Sequence, residues 1–156
     1  SDVCSSDLVL INGKTSVLTT NSQGQIKITN SLVPKQYSVK ISFAGNNANN
    51  KATKTVKITV KKATAKLTAN SVTFKAKTKT KKYTVTLKNN AGKVMKNTKV
   101  TLKVNGKTYT AKTNSKGKAT FKITKLTKKG KYSAVISYAG NAYYNKLSKT
   151  VKITAK

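Results

Sequence analysis

Lys54-Thr55-Val56-Lys57-Ile58-Thr59 returns without a change as Lys149-Thr150-Val151-Lys152-Ile153-Thr154. Within the hexad, Val and Ile alternate with Lys and Thr, the period of two that marks a half-buried strand. Its recurrence marks a tandem repeat, and a repeat fixes the architecture before any single strand does. Working back from the hexad, Ala44-Gly45-Asn46 matches Ala139-Gly140-Asn141 and Tyr37-Ser38 matches Tyr132-Ser133, at the same offset of 149 − 54 = 95. Two residues fewer separate the earlier blocks. Thr20-Asn21-Ser22-Gln23-Gly24-Gln25 falls on Thr113-Asn114-Ser115-Lys116-Gly117-Lys118, and Asn12-Gly13-Lys14-Thr15 on Asn105-Gly106-Lys107-Thr108, an offset of 105 − 12 = 93. The order and length of these matches exclude chance. They predict a complete module over 62–156, preceded over 9–61 by the truncated C-terminal half of the same module, the chain starting in mid-domain.

The whole module carries the same alternation throughout. Tyr83, Val85 and Leu87 alternate with Thr84, Thr86 and Lys88, and Val100, Leu102 and Val104 with Lys99, Thr101 and Lys103. No stretch has an apolar stripe at helical spacing. Asn105-Gly106 and Asn12-Gly13 are hairpin dipeptides that accept positive φ at both central positions. Strands are expected near Ala65–Ala69, Val72–Ala76, Lys82–Leu87, Lys99–Val104, Lys107–Lys112, Ala119–Ile123, Lys131–Tyr138 and Lys149–Ala155. Eight short strands in under about a hundred residues predict an all-β, Ig-like β-sandwich. Tyr132, following Gly130 at the start of the penultimate strand, stands where such sandwiches place a tyrosine corner, and Tyr37 holds the same place in the first copy. An ordinary aromatic core residue is the other reading.

All 33 basic residues are lysine, against two acids, Asp2 and Asp7, for a net charge of +31; there is no histidine. Cys4 is the only cysteine. Both acids and the cysteine sit in Ser1–Leu8, which resembles a translated sequencing-library adapter, and residues 1–8 are therefore set apart from the fold. Beyond Leu8 nothing can serve as a carboxylate, imidazole or thiol. General acid–base catalysis, triads and metal sites all require such groups, so an enzyme is not expected and no cofactor or metal is implied. Calcium-stiffened linkers are excluded on the same ground. No Asn-x-Ser/Thr sequon is present, and no window is apolar enough to span a bilayer.

Binding remains. The charge favours polyanionic partners: nucleic acid, a charged surface, or acidic polysaccharide. Candidate polyanion contacts are Lys77, Lys79, Lys81 and Lys82 in one connecting run, with Lys128 and Lys129 in another. The other reading of the same lysines is a solvated face that keeps the array soluble, with edge lysines that keep strand edges from pairing. Arginine, the side chain that reads guanine bidentately, is absent, so specific nucleic-acid recognition is not expected. Tyr143 and Tyr144 form a possible aromatic ligand contact in the last loop, or else pack over the end of the sandwich.

Thr113-Asn114-Ser115 with Gly117, Ala119 and Phe121, then Gly130 and Tyr132, then Tyr138-Ala139-Gly140-Asn141 with Tyr144 and Ser148, resembles the tandem bacterial Ig-like (Big-type) repeats of prokaryotic surface proteins. The lysine- and threonine-rich style resembles the adhesin-like proteins of methanogenic archaea. The resemblance implies an extracellular, cell-surface module with a structural and adhesive role. Its implied partners are neighbouring Ig-like repeats and anionic wall or surface polymers or host glycans. It implies no catalytic residues. A basic, non-specific nucleic-acid-binding protein is the alternative; that class would gather its lysines on one face with interleaved aromatics. The first copy departs from the pattern where Tyr143-Tyr144 become Ala48-Asn49, so a binding role for the tyrosines is not a feature of every repeat.

Overall fold

A computed structural model describes residues 6–28 and 31–156. The chain divides into two compact units, residues 1–61 and 62–156. The second unit holds two facing sheets. Lys66–Thr68 (β5), Lys81–Lys88 (β7) and Lys118–Ile123 (β10) form one sheet in the order β10-β7-β5. The other contains Val72–Phe74 (β6), Lys99–Val104 (β8), Lys107–Lys112 (β9), Gly130–Tyr138 (β11) and Leu147–Ala155 (β12), ordered β6-β12-β11-β8-β9. This is an all-β, Ig-like sandwich. The opening segment serves both sheets: β5 pairs antiparallel with β7, and β6, a few residues later, pairs parallel with β12.

Alternation decides what lies between the sheets. Tyr83, Val85 and Leu87 from β7, Ala119, Phe121 and Ile123 from β10, and Val100, Leu102 and Val104 from β8 are all buried in one core with Ala134, Ile136 and Ile153. Their sequence neighbours, among them Lys82, Lys122, Lys103 and Lys152, face solvent. Each inward Val, Leu, Ile or Phe gains about 1.5–3 kcal/mol from leaving water, and that gain sets the register, because a one-residue slip would exchange the two sets.

The described residues of the first unit form a four-stranded sheet of Ser6–Ile11 (β1), Lys14–Thr19 (β2), Gln36–Phe43 (β3) and Ala52–Thr59 (β4), in the order β2-β1-β3-β4. Its pairing reproduces the large sheet of the second unit. Ile11 faces Lys14 as Val104 faces Lys107, Val9 faces Ile41 as Leu102 faces Ile136, and Tyr37 faces Ile58 as Tyr132 faces Ile153. One expectation is corrected here. Ser6, Asp7 and Leu8, set apart with the opening octapeptide, belong to β1 and are paired on both sides where described, Leu8 with Val17 and Ser42. Shifting Asp7 by 93 residues lands on Val100, and Asp7 occupies the corresponding inward position, buried beside Val9 and Ile11. A central strand is needed there whatever residues supply it. The rest of the octapeptide, residues 1–5, lies outside the described residues.

Both tyrosine corners are present. The Tyr132 hydroxyl donates to the Lys128 carbonyl at 2.8 Å, and Tyr37 donates to the Val33 carbonyl at 2.7 Å, four residues upstream in each case. Tyr138, by contrast, is buried with no partner for its hydroxyl among the described residues. Replacing Tyr132 by Phe should cost about 1 kcal/mol, the usual net worth of one hydrogen bond. Tyr138→Phe, which breaks no protein hydrogen bond, should be neutral or stabilising. Urea melts of the two variants of residues 62–156 check the contrast.

Candidate functional site

The lysines dominate the charge of the chain, so their placement is the first question for a site. In the second unit every lysine but one is exposed. Lys66, Lys82, Lys88, Lys118 and Lys122 share the outer face of the small sheet, while Lys99, Lys103, Lys112 and Lys152 lie on the outer face of the large one. The charge therefore covers both outer faces. Strand register sets three pairs of lysines directly opposite one another: Lys66 with Lys88, Lys82 with Lys122, and Lys99 with Lys112. Directly opposed residues have Cβ atoms about 5 Å apart, and like charges in that arrangement destabilise a sheet. These pairs were not legible beforehand, because cross-strand register is not written in a single strand.

Lys81 is the exception and corrects an expectation. Its place in the run with Lys77, Lys79 and Lys82 predicts a polyanion contact, yet only 2% of it is exposed. Its ammonium turns inward and donates to the carbonyls of Ala76 (3.1 Å) and Thr78 (2.7 Å), closing the turn that leads into β7. A signal for this was present: Lys81 stands two residues before Tyr83 and four before Val85, on the inward side of the same alternation. Lys77, Lys79, Lys82, Lys128 and Lys129 are exposed. Lys81→Met should destabilise the second unit by about 1–3 kcal/mol, because two carbonyls lose their donor. The neighbouring Lys82→Met should be neutral or stabilising at low salt, since it removes one like-charge pair. Thermal melts of both variants in dilute buffer separate these outcomes.

The two tyrosines of the last loop have different surroundings. Tyr143 is half exposed, the only large aromatic side chain so exposed among the described residues, while Tyr144 packs against the core. The loop is held by Asn141, whose Oδ1 accepts from the amides of Tyr143 (2.8 Å) and Tyr144 (2.9 Å). Asn46 does the same for Ala48 and Asn49 in the first unit, at 3.0 and 2.8 Å. Asparagine thus sets the turn and the tyrosines are free to vary. Gly140, at φ +80°, has no room for a Cβ, which would meet the Tyr144 carbonyl oxygen at 2.7 Å.

Burial pushes the hydroxyls of Tyr83 and Tyr138 above the ordinary tyrosine value of 10.0, with Tyr144 adding to the effect at Tyr138. The neutral phenols are favoured by folding, so their contribution is complete below pH 10.0 and is lost as pH climbs through the folded values. Residues 62–156 contain no Asp, Glu, His or Cys, so stability should be flat between about pH 4 and 8. Tyrosinate absorbance should rise at higher pH in the folded module than in the urea-unfolded chain.

Among the described residues no three of His, Cys, Asp or Glu lie together, and no helix is long and apolar enough to cross a membrane. No family model matches the chain, and no curated protein matches it in sequence. Solved structures similar to it include invasin, a bacterial integrin-binding protein, at 19% identity, with 98% of this chain and 32% of that one covered and a TM-score of 0.48. A tetra-tandem repeat from the extending region of a large adhesion protein aligns at 16% identity over 98% of this chain and 42% of that one, with a TM-score of 0.46. A bacterial immunoglobulin-like domain from the M. primoryensis ice-binding adhesin aligns at 19% identity, with 60% of this chain and 95% of that one covered and a TM-score of 0.34. The chain spans less than half the length of the first two. At these scores the likeness adds nothing to the sheet order itself.

Proposed function

We propose that this chain is a non-catalytic, structural and adhesive Ig-like repeat segment of a cell-surface, adhesin-like protein. In this reading it works outside the cell, stacks with neighbouring Ig-like repeats, and associates electrostatically with anionic wall or surface polymers or host glycans. The lysine-rich style it shares with archaeal adhesin-like proteins belongs to the same reading. One observation carries it: 32 of the 33 lysines face solvent, and those of the complete module cover both of its outer faces, with three pairs directly opposed. A dense array of ammonium groups is stabilised by anions supplied from outside. Lysine is a hydrated point charge that neutralises carboxylate, sulfate and phosphate alike, so recognition follows charge density. Nucleic-acid binding is the other class, and the absence of arginine argues against sequence reading.

Competition distinguishes the classes. An acidic polysaccharide and double-stranded DNA of arbitrary sequence, matched in charge density, should displace each other from the chain, and a neutral glycan should displace neither. A DNA sequence that binds far more tightly than its scrambled version, and still does so at high salt, would establish the nucleic-acid reading. Binding of the neutral glycan alone would move the site to Tyr143.

A further inference from the structure

The two sheets of the second unit meet along one side at β9 and β10, the last strands of the large and the small sheet. Neither strand has a sheet neighbour on that side, and residues 113–117 join them. Between them lies a cavity of about 510 Å³, within the range of about 300–1,000 Å³ in which small ligands are held. Strand alternation lines it with one sign of charge. Lys118, Thr120 and Lys122 follow one another along the outward side of β10, Thr110 and Lys112 along that of β9, and all five are exposed. The ring of Tyr109, half-buried against the core, lines the cavity from the inner side, and its hydroxyl accepts from the Lys125 amide at 3.2 Å.

The turn between the two strands is fixed. Asn114 Oδ1 accepts from the amides of Lys116 (2.9 Å) and Lys118 (3.0 Å). Gly117 lies so close to β7 that a Cβ would meet the Leu87 carbonyl oxygen at 2.8 Å. Register also places Lys99 opposite Lys112 and Lys82 opposite Lys122, so a second lysine stands one strand behind two of the three. Residues 62–156 hold no Asp or Glu, so no carboxylate side chain of the module neutralises this group. The cavity beside Ser137 and Leu147 holds one lysine, and that beside Ser71 and Thr150 holds two.

We propose that the groove between β9 and β10 binds an acidic polysaccharide, a uronate-bearing stretch laid along the strands. This rests on the electrostatic reading above and names where in the module the association is concentrated. Lys118 and Lys122 are four residues apart, about 14 Å at about 3.4 Å per residue, so an extended anionic chain reaches both along β10 with Lys112 on the opposite wall. The hydroxyls of Thr110 and Thr120 and the amide of Asn114 suit the neutral oxygens of the same sugars, and a pyranose ring presents C–H groups to the open part of the Tyr109 ring. Nucleic acid fits less well. A duplex is too broad to enter, and single strands are held by stacking bases on open aromatic faces, which a half-buried Tyr109 does not offer. The fixed turn sets the lysines in place before the ligand arrives, which lowers the entropy cost of binding.

The test titrates the full chain with a short oligomer of galacturonic acid. The backbone amide resonances of residues 109–112 and 118–122 should shift most. A variant carrying Lys112→Thr, Lys118→Thr and Lys122→Thr should bind the oligomer at least about tenfold more weakly than a control carrying Lys131→Thr, Lys146→Thr and Lys149→Thr, which loses the same charge. Its log affinity should also fall less steeply with log salt, because fewer anion contacts remain. Threonine suits a strand and two opposed lysine pairs are relieved, so this variant should melt no lower than the unaltered chain. Duplex DNA engages lysines over the whole surface, so both variants should weaken it alike. Equal loss of the oligomer in both variants, or resonance shifts spread evenly over the outer faces, would overturn the groove and leave the electrostatic reading standing. Loss of DNA confined to the groove variant, with the oligomer unaffected, would overturn the saccharide as its occupant. Failure of the unaltered chain to bind any acidic polysaccharide would overturn both readings.

Discussion

Residues 62–156 expressed alone should melt in one sharp transition, and residues 6–61 expressed alone should show none. The difference is in what each sheet has to pack against. Among the described residues, eighteen buried apolar side chains form the core of the second unit and four that of the first. A sheet covered on one face by an opposite sheet removes both sets of side chains from water. One left half-covered carries the same backbone entropy cost, about 1–2 kcal/mol for each ordered residue, with a fraction of the compensating burial. Leu8, Leu10 and Val17 on the other side of the first sheet are also exposed, at 44%, 38% and 65%, so neither face is well covered. Circular dichroism melts of the two pieces decide the matter. A cooperative transition in the short piece would mean that Val9, Ile11, Tyr37 and Val39 suffice for a fold.

Much of this fold was legible because side-chain period and backbone geometry say the same thing. Val151 and Ile153 flanking Lys152 announce a strand with one face inward, and Asn105-Gly106 announces the hairpin between β8 and β9, with both residues at positive φ. Tyr132 was legible as a corner because it follows a glycine at a strand start. The change of sheet between β5 and β6 was not legible, since Leu67 and Val72 look alike in sequence and only the tertiary pairing separates them. The charge of Lys81 points to solvent while its position in the Tyr83, Val85, Leu87 series points inward, and position prevails. The opposed lysine pairs required the register between strands, which follows from packing and turn lengths together. Ser6–Leu8 entered the fold because a backbone position between β2 and β3 has to be filled, and backbone pairing tolerates side chains that composition sets apart.

The largest effect on binding should come from salt. If six to ten lysines of the chain engage phosphates of double-stranded DNA, affinity should fall by about 10³ to 10⁵ between 50 and 200 mM salt, because binding is driven by release of condensed counterions. An acidic polysaccharide should show the same kind of linear decline of log affinity with log salt, with a slope set by its charge spacing. In the same range the melting temperature of the free chain should rise, since screening weakens the repulsion between Lys66 and Lys88, Lys82 and Lys122, and Lys99 and Lys112. The most direct measurement is a titration of the chain with an acidic polysaccharide at several salt concentrations, with a neutral glycan alongside. Electrostatic association requires steep, salt-driven loss of the acidic polymer and no binding of the neutral one. Affinity for the acidic polymer that stays constant as salt rises, or binding of the neutral glycan in its place, would contradict it.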